Sequence, residues 1–99
     1  MRERDIERWL CMQINARGGL SIKFRSTTRG WPDRLVILPR GKVWFVEIKS
    51  DHGRLSELQH YQAGRLAWLG ANARVVYGLD GAKAFVDEVF SEEESPNGI

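Results

Sequence analysis

The sequence predicts an α/β domain in the order helix, three strands, helix, strand, helix, with a mixed central sheet flanked by helices. Three observations predict it. Apolar residues at helical spacing open the chain and return after residue 54, two runs rich in β-branched and aromatic residues lie between them, and glycine or proline punctuates the junctions. With 99 residues, 42% hydrophobic and 28% charged, the chain has room for one modest core. We expect residues 1–90 to form that single domain and residues 91–99, with Glu92-Glu93-Glu94 and Pro96, to form an acidic flexible tail.

Each element has a local cause. Ile6, Trp9, Leu10 and Ile14 fall on one stripe and predict a helix over residues 5–14, with Arg2, Arg4, Arg8 and Arg17 mostly elsewhere on the wheel. Gly18-Gly19 stops it, because glycine enters the left-handed region without steric cost. Leu20 to Phe24 alternates apolar and polar and reads as a strand, and Ser26 to Pro32 reads as loop. The runs Arg34–Leu38 and Val43–Ile48, joined by Pro39-Arg40-Gly41-Lys42, predict an antiparallel hairpin. Both are apolar on either face, so helices should cover at least part of each side. Leu55, Leu58, Leu66 and Leu69 return to helical spacing, with Tyr61 and Trp68 on a neighbouring stripe and Gly70 closing the segment. Ala73–Tyr77 reads as a short buried strand and Gly81–Phe90 as a last amphipathic helix. Trp9, Trp44 and Trp68 are expected in the core or at an interface.

Composition narrows the function. No window approaches ~18 consecutive apolar residues and the N-terminal stretch is charged, so neither a membrane span nor a signal peptide is expected. Cys11 stands alone, which excludes an internal disulfide framework and a thiolate zinc cluster, and His52 and His60 do not suffice for a structural zinc. A cytoplasmic protein is the expectation. The net charge of +2 hides an uneven split: residues 1–50 carry eleven Lys and Arg against five Asp and Glu, residues 51–99 four against eight. The first half suits a polyanion, although such an excess also occurs on ordinary solvated surfaces.

The strand around Val43–Lys49 carries the chemistry. Period-two alternation puts Phe45, Glu47 and Lys49 on one face and Trp44, Val46 and Ile48 on the other. A carboxylate and an amine thus become neighbours near the end of an apolar strand, where pairing or a metal offsets the cost of desolvation. Taken alone, the pair also reads as an ordinary rim ion pair. Counting outward from the Arg40-Gly41 turn sets Asp33 opposite residue 48 or 49, within reach of Glu47 if both face one side. Two carboxylates so close are unfavourable unless a proton or cation intervenes, and oxygen-rich sites suit hard ions such as Mg²⁺ or Mn²⁺. Pro32-Asp33 by itself reads equally as a plain turn.

Pro32-Asp33, thirteen further residues and Glu47-Ile48-Lys49 resemble the PD-(D/E)XK nuclease signature, and their surroundings resemble its VRR-NUC branch. Glu3 to Ile6, Gly18-Gly19, Lys23-Phe24, Gly30 to Arg34, Phe45 to Lys49, Gly53 to Gln59 and Leu66 to Gly70 carry the likeness in order. Trp31 departs from it, standing where a small or β-branched residue is expected. The resemblance implies a restriction-endonuclease-like fold in which Asp33, Glu47 and the backbone carbonyl of Ile48 bind Mg²⁺ or Mn²⁺ and Lys49 orients or activates the attacking water. It also implies a glutamate from the first helix. Glu3 lies about 45° from the centre of that helix's apolar stripe and Glu7 about 85°, which favours Glu3, although both residues also suit the positive end of a helix dipole. Gln59 matches the family's glutamine near the lysine, and Ser56-x-x-Gln59 is at the same time a capping box, with Gln62 as the alternative.

Lys23, Arg25, Arg29, Arg34 and Arg54 flank the proposed site and are candidates for phosphate contact. Trp31 is a candidate for stacking on an unpaired base or wedging into a junction, and equally for covering the core. The implied activity is endonucleolytic hydrolysis of DNA, selective for branched structures such as four-way junctions and performed by a homodimer, with the outer faces of the last helix and last strand as the expected contact. A sequence-specific or nicking nuclease and a catalytically silent nucleic-acid-binding module are the alternatives.

Overall fold

The computed structural model describes the backbone of residues 1–93 and side chains as far as residue 91. Its elements are α1 (Glu3–Ala16), β1 (Leu20–Lys23), β2 (Arg34–Ile37), β3 (Val43–Lys49), α2 (Glu57–Trp68), β4 (Ala73–Tyr77) and α3 (Gly78–Glu93). The four strands form one sheet in the order β1-β2-β3-β4. The first three pair antiparallel, and β4, reached through α2, lies parallel to β3. The expected mixed α/β order is present, and no described helix is long and apolar enough to cross a membrane.

One face of the sheet makes the main core. Val36, Trp44, Val46, Ile48 and Val76 meet Ile6, Leu10 and Ile14 of α1 and Ala82, Phe85, Val86 and Val89 of α3, all buried. Burial of each such large side chain contributes about 1.5–3 kcal/mol before entropy is counted. Trp9 packs at the margin of this cluster. The other face carries Phe45 and Glu47 beneath α2, but the helix reaches only part of it: Leu20 is 50% exposed and Ile22 41%.

Several boundaries differ from the sequence expectation. The tight turn is a 3₁₀ segment, Pro39–Gly41, closed by the Leu38 amide donating to the Lys42 carbonyl at 2.8 Å. Pairing is therefore centred on Arg40 rather than between Arg40 and Gly41. On α2 the expected leucine stripe is buried only in part: Leu66 points inward together with Gln62, while Leu58 is 38% exposed, Leu69 68% and Trp68 86%. The last helix starts directly at Gly78, whose φ of +67° turns the chain from strand into helix without a loop. It continues through residues 91–93, which the sequence assigns to the tail; residues 94–99 lie outside the described residues.

Candidate active site

Glu47 is placed by strand alternation: its neighbours Val46 and Ile48 enter the core, so its carboxylate emerges on the α2 side. Continuing the β2–β3 register by one residue from the Arg34–Val46 pair sets Asp33 opposite Glu47, not residue 48 or 49. The correction follows from the turn centred on Arg40. Asp33 faces the same side, and its Oδ2 accepts the Ile48 amide at 3.2 Å. In an extended strand the N–H and C=O of one residue point to the same edge, so the Ile48 carbonyl also turns toward the Asp33 side.

Around the Glu47 carboxylate the contacts converge. Lys49 Nζ lies 3.7 Å from Glu47 Oε2. Gln59 Nε2 donates to the same oxygen at 3.0 Å. Burial, followed by the negative charge of Asp33, pushes the Glu47 carboxyl up to about 7 against the opposing pull of Lys49. A hydrogen bond with Asp33 and the charge of Glu3 act in the same upward direction. Mutual repulsion between a buried carboxylate and a half-buried one beside it is what a divalent cation relieves. The donor set of two carboxylates and a strand carbonyl fits a hard ion that completes its shell with water. Among the described residues no three His, Cys, Asp or Glu side chains gather into one ligand cluster, so the protein's side-chain share is the Asp33–Glu47 pair.

Gln59 closes the helix cap and also reaches the Glu47 carboxylate. Ser56 Oγ accepts the Gln59 amide at 3.1 Å and Gln59 Oε1 accepts the Ser56 amide at 2.9 Å, which makes a complete capping box. The remaining amide hydrogens reach Glu47. Gln62 instead donates to the Arg29 carbonyl at 3.1 Å and accepts from Arg65, stitching the loop before β2 to the helix.

On α1 the structure reverses the expected order of burial. Glu3 is exposed, whereas Glu7 is 17% exposed and its Oε2 lies 2.6 Å from Arg34 Nε and 3.4 Å from Lys23 Nζ. A wheel angle measured against the core stripe ignores what flanks the helix. Here the β1–β2 edge supplies two cations to Glu7. Glu3 stands at the solvent rim, yet close enough for its charge to act on Glu47.

The candidate phosphate contacts divide. Arg25, Arg29 and Arg54 are exposed. Lys23 and Arg34 are turned to the α1 face and bound to Glu7, since residues adjacent along a strand, Asp33 and Arg34 included, face opposite ways. That parity was available in the sequence. Trp31 packs edge-on against Phe45, with centroids 5.6 Å apart, and near Phe24 at 6.3 Å, so its ring covers the sheet instead of standing free. Its indole nitrogen is enclosed without an acceptor among the described residues.

A cavity of about 100 Å³ lies between α2 and the sheet, with Glu47 and Gln59 at its polar end, Ala63 and Ala67 along the helix and Leu55 just before it. The spacing of Leu55, Gln59, Ala63 and Ala67 by four residues was the sequence signal for this lining. Gly30 abuts the same region with φ +80°, and a Cβ there would stand 2.7 Å from Leu58 Cγ and 2.8 Å from its backbone carbonyl. Gly30→Ala is expected to cost about 2–4 kcal/mol in urea unfolding, because neither the dihedral nor the helix backbone has room to give.

No protein-family model matches the sequence. The "Putative nuclease p44" of Acyrthosiphon pisum secondary endosymbiont phage 1 is 40% identical over 81 residues, which cover 81% of this chain and 87% of that protein. A solved structure described as a VRR_NUC domain superposes with a TM-score of 0.80 at 33% identity, over 86% of this chain and 94% of its own. Sequence likeness over most of both chains, on the same arrangement of helices and mixed sheet, makes this chain a member of the VRR-NUC family of nucleases.

Proposed function

We propose that this nuclease is a metal-dependent endonuclease of the PD-(D/E)XK type. It hydrolyses DNA phosphodiester bonds with Mg²⁺ or Mn²⁺, prefers branched DNA such as four-way junctions, and works as a homodimer in the cytoplasm. The observation that carries the reading is the convergence of Asp33, Lys49 and Gln59 on the Glu47 carboxylate. Asp33, Glu47 and the Ile48 carbonyl would hold the ion. The chemistry such an ion would supply is Lewis-acid polarisation of a phosphoryl oxygen and a lowered pKa for water.

The chain's own residues do the rest. Lys49, 14% exposed at its side chain, would set its amine where negative charge grows on the phosphorus centre and orient the incoming water. Gln59 fixes which way the Glu47 carboxylate is turned, with its own orientation locked by the helix cap. Glu3 adds negative charge at the rim, which strengthens attraction for a cation. Arg25, Arg29 and Arg54 would track phosphates without reading bases. Trp31 would supply an aromatic shelf beside the catalytic loop, at the cost of leaving its packing on Phe24 and Phe45.

A cleavage panel tests this reading: plasmid, linear duplex and four-way junction with Mg²⁺ or Mn²⁺ titrated, alongside the protein's mass in solution. Metal-dependent cutting strongest on the junction is the expected result. Cutting at one short sequence supports a sequence-specific or nicking enzyme, and binding without metal-dependent cleavage supports a silent module.

A further inference from the structure

Gln62 is 4% exposed, and a carboxamide so deep in a small domain needs partners for both of its ends. It has them. Its Oε1 accepts from Arg65 Nη1 at 3.2 Å, and its Nε2 donates to the Arg29 carbonyl at 3.1 Å. A guanidinium can only donate and a carbonyl can only accept, so the amide has one possible orientation. Because the bond to residue 29 is made to backbone, Gln62 sets the path of the chain there.

That path leads to the proposed chemistry. The loop between β1 and β2 is closed at its base, where the Phe24 amide donates to the Asp33 carbonyl at 2.9 Å, and its two limbs are held differently. The first, residues 25–28, is exposed and carries a local turn in which Ser26 Oγ accepts the Thr28 amide at 2.9 Å. The second is fastened to α2 and the sheet. Beside the Gln62 bond, Gly30 lies so close to α2 that a Cβ would stand 2.8 Å from the Leu58 backbone. Trp31 packs on Phe24 and Phe45, and Pro32 is buried just before Asp33. Four residues of chain span at most about 14 Å, so the exposed Arg29 side chain stands on a fixed arm close to the Asp33–Glu47 pair. Gln59 and Gln62, three apart, share one face of α2. A single turn of helix thus holds the Glu47 carboxylate with one glutamine and the Arg29 main chain with the other.

We propose that Gln62 is a positioning residue for substrate: by holding the Arg29 carbonyl it keeps the Arg29 guanidinium at a set distance from the Asp33–Glu47 pair, where it grips one backbone phosphate beside the bond that is cut. The proposal rests on the nuclease reading above and deepens it, giving placement of the DNA strand to a residue that touches neither the ion nor the DNA. Arg25, on the limb with only a local turn, adds charge without register.

Binding of a four-way junction in EDTA over a range of salt concentrations tests the arrangement without requiring cleavage. Arg29→Ala is expected to weaken binding about tenfold and to lower the slope of log affinity against log salt by about one, the mark of one lost phosphate contact. Gln62→Met, similar in length but without the amide, should reproduce most of that change. Gln62→Glu keeps an acceptor for Arg65 and loses the donor to Arg29, so it should do the same. Adding Gln62→Met to Arg29→Ala should cost no more than about a further twofold, because both substitutions remove one contact. Under turnover with Mg²⁺ the loss should appear in KM, with kcat within about threefold of the wild type. Unchanged binding in both Gln62 variants, fully additive losses in the double variant, or a fall in kcat with KM unmoved would overturn the proposal. Failure of both variants to fold, read by circular dichroism, would make Gln62 a structural residue and overturn it too. A wild type that binds but does not cleave with metal overturns the nuclease reading and leaves the phosphate grip to the binding cycle, and a wild type that binds no DNA overturns both.

Discussion

Asp33→Asn and Lys49→Ala are each expected to lower single-turnover DNA cleavage by about a thousandfold or more, the range in which removal of a charged group from a transition-state site falls. The two losses should differ in kind. The amide introduced by Asp33→Asn retains an oxygen that can accept the Ile48 N–H, so the β2 entrance keeps its geometry while one anionic ligand disappears. Manganese affinity, read by calorimetry, should drop sharply in that variant. Lys49→Ala removes no ligand and relieves no carboxylate repulsion. It should bind the ion about as well as the wild type while failing to cut. Circular dichroism establishes that both variants are folded. If either cleaves within tenfold of the wild type, the site is misassigned.

The second large effect is in the pH dependence of the metal-free protein. In the folded chain Glu47 holds its proton up to about pH 7, against an ordinary carboxyl value of 4.5. The folded state therefore binds more protons than the unfolded one across that window. Its contribution to stability is complete below about 4.5, declines as pH rises, and is gone above 7. The shift corresponds to a difference on the order of 3 kcal/mol between the two ends. Urea unfolding in EDTA from pH 4.5 to 8 should show this loss, and Glu47→Gln should flatten the part of the slope that belongs to this residue. Because proton and cation compete for one carboxylate, Mg²⁺ at pH 8 should restore stability to the wild type and do little for the variant. A wild-type slope matched by Glu47→Gln would refute the assignment of that titration.

Much of this site was legible because strands alternate with period two. The parity of Glu47 and Lys49 follows from Val43–Lys49 alone, and Asp33 falls on their side once the hairpin is folded. The same rule, applied one residue further, places Arg34 on the far side with Glu7, whereas proximity in sequence groups it with the phosphate contacts. The choice between Glu3 and Glu7 is harder for a different reason. A wheel gives the angle to the core but not the neighbours across a helix flank, and Lys23 and Arg34 come from strands distant in the chain. On α2, counting leucines places the inward face only in part, because alanines and two glutamines share it with Leu66 while Leu58 and Leu69 stand outside it. Gln59 was legible both as a cap and as a neighbour of the proposed site, and only folding reveals that one side chain makes both contacts.

In the proposed mechanism that double use ties cleavage to local stability. One amide closes the first turn of α2 with its oxygen and restrains the Glu47 carboxylate with its nitrogen. Helix ends fray at far lower cost than a whole domain unfolds. On the proposed mechanism, each transient unwinding of that turn would free the Glu47 carboxylate from this restraint, so the fraction of molecules poised to cut would fall with a single frayed turn, well before warmth or denaturant disturbs the rest of the chain.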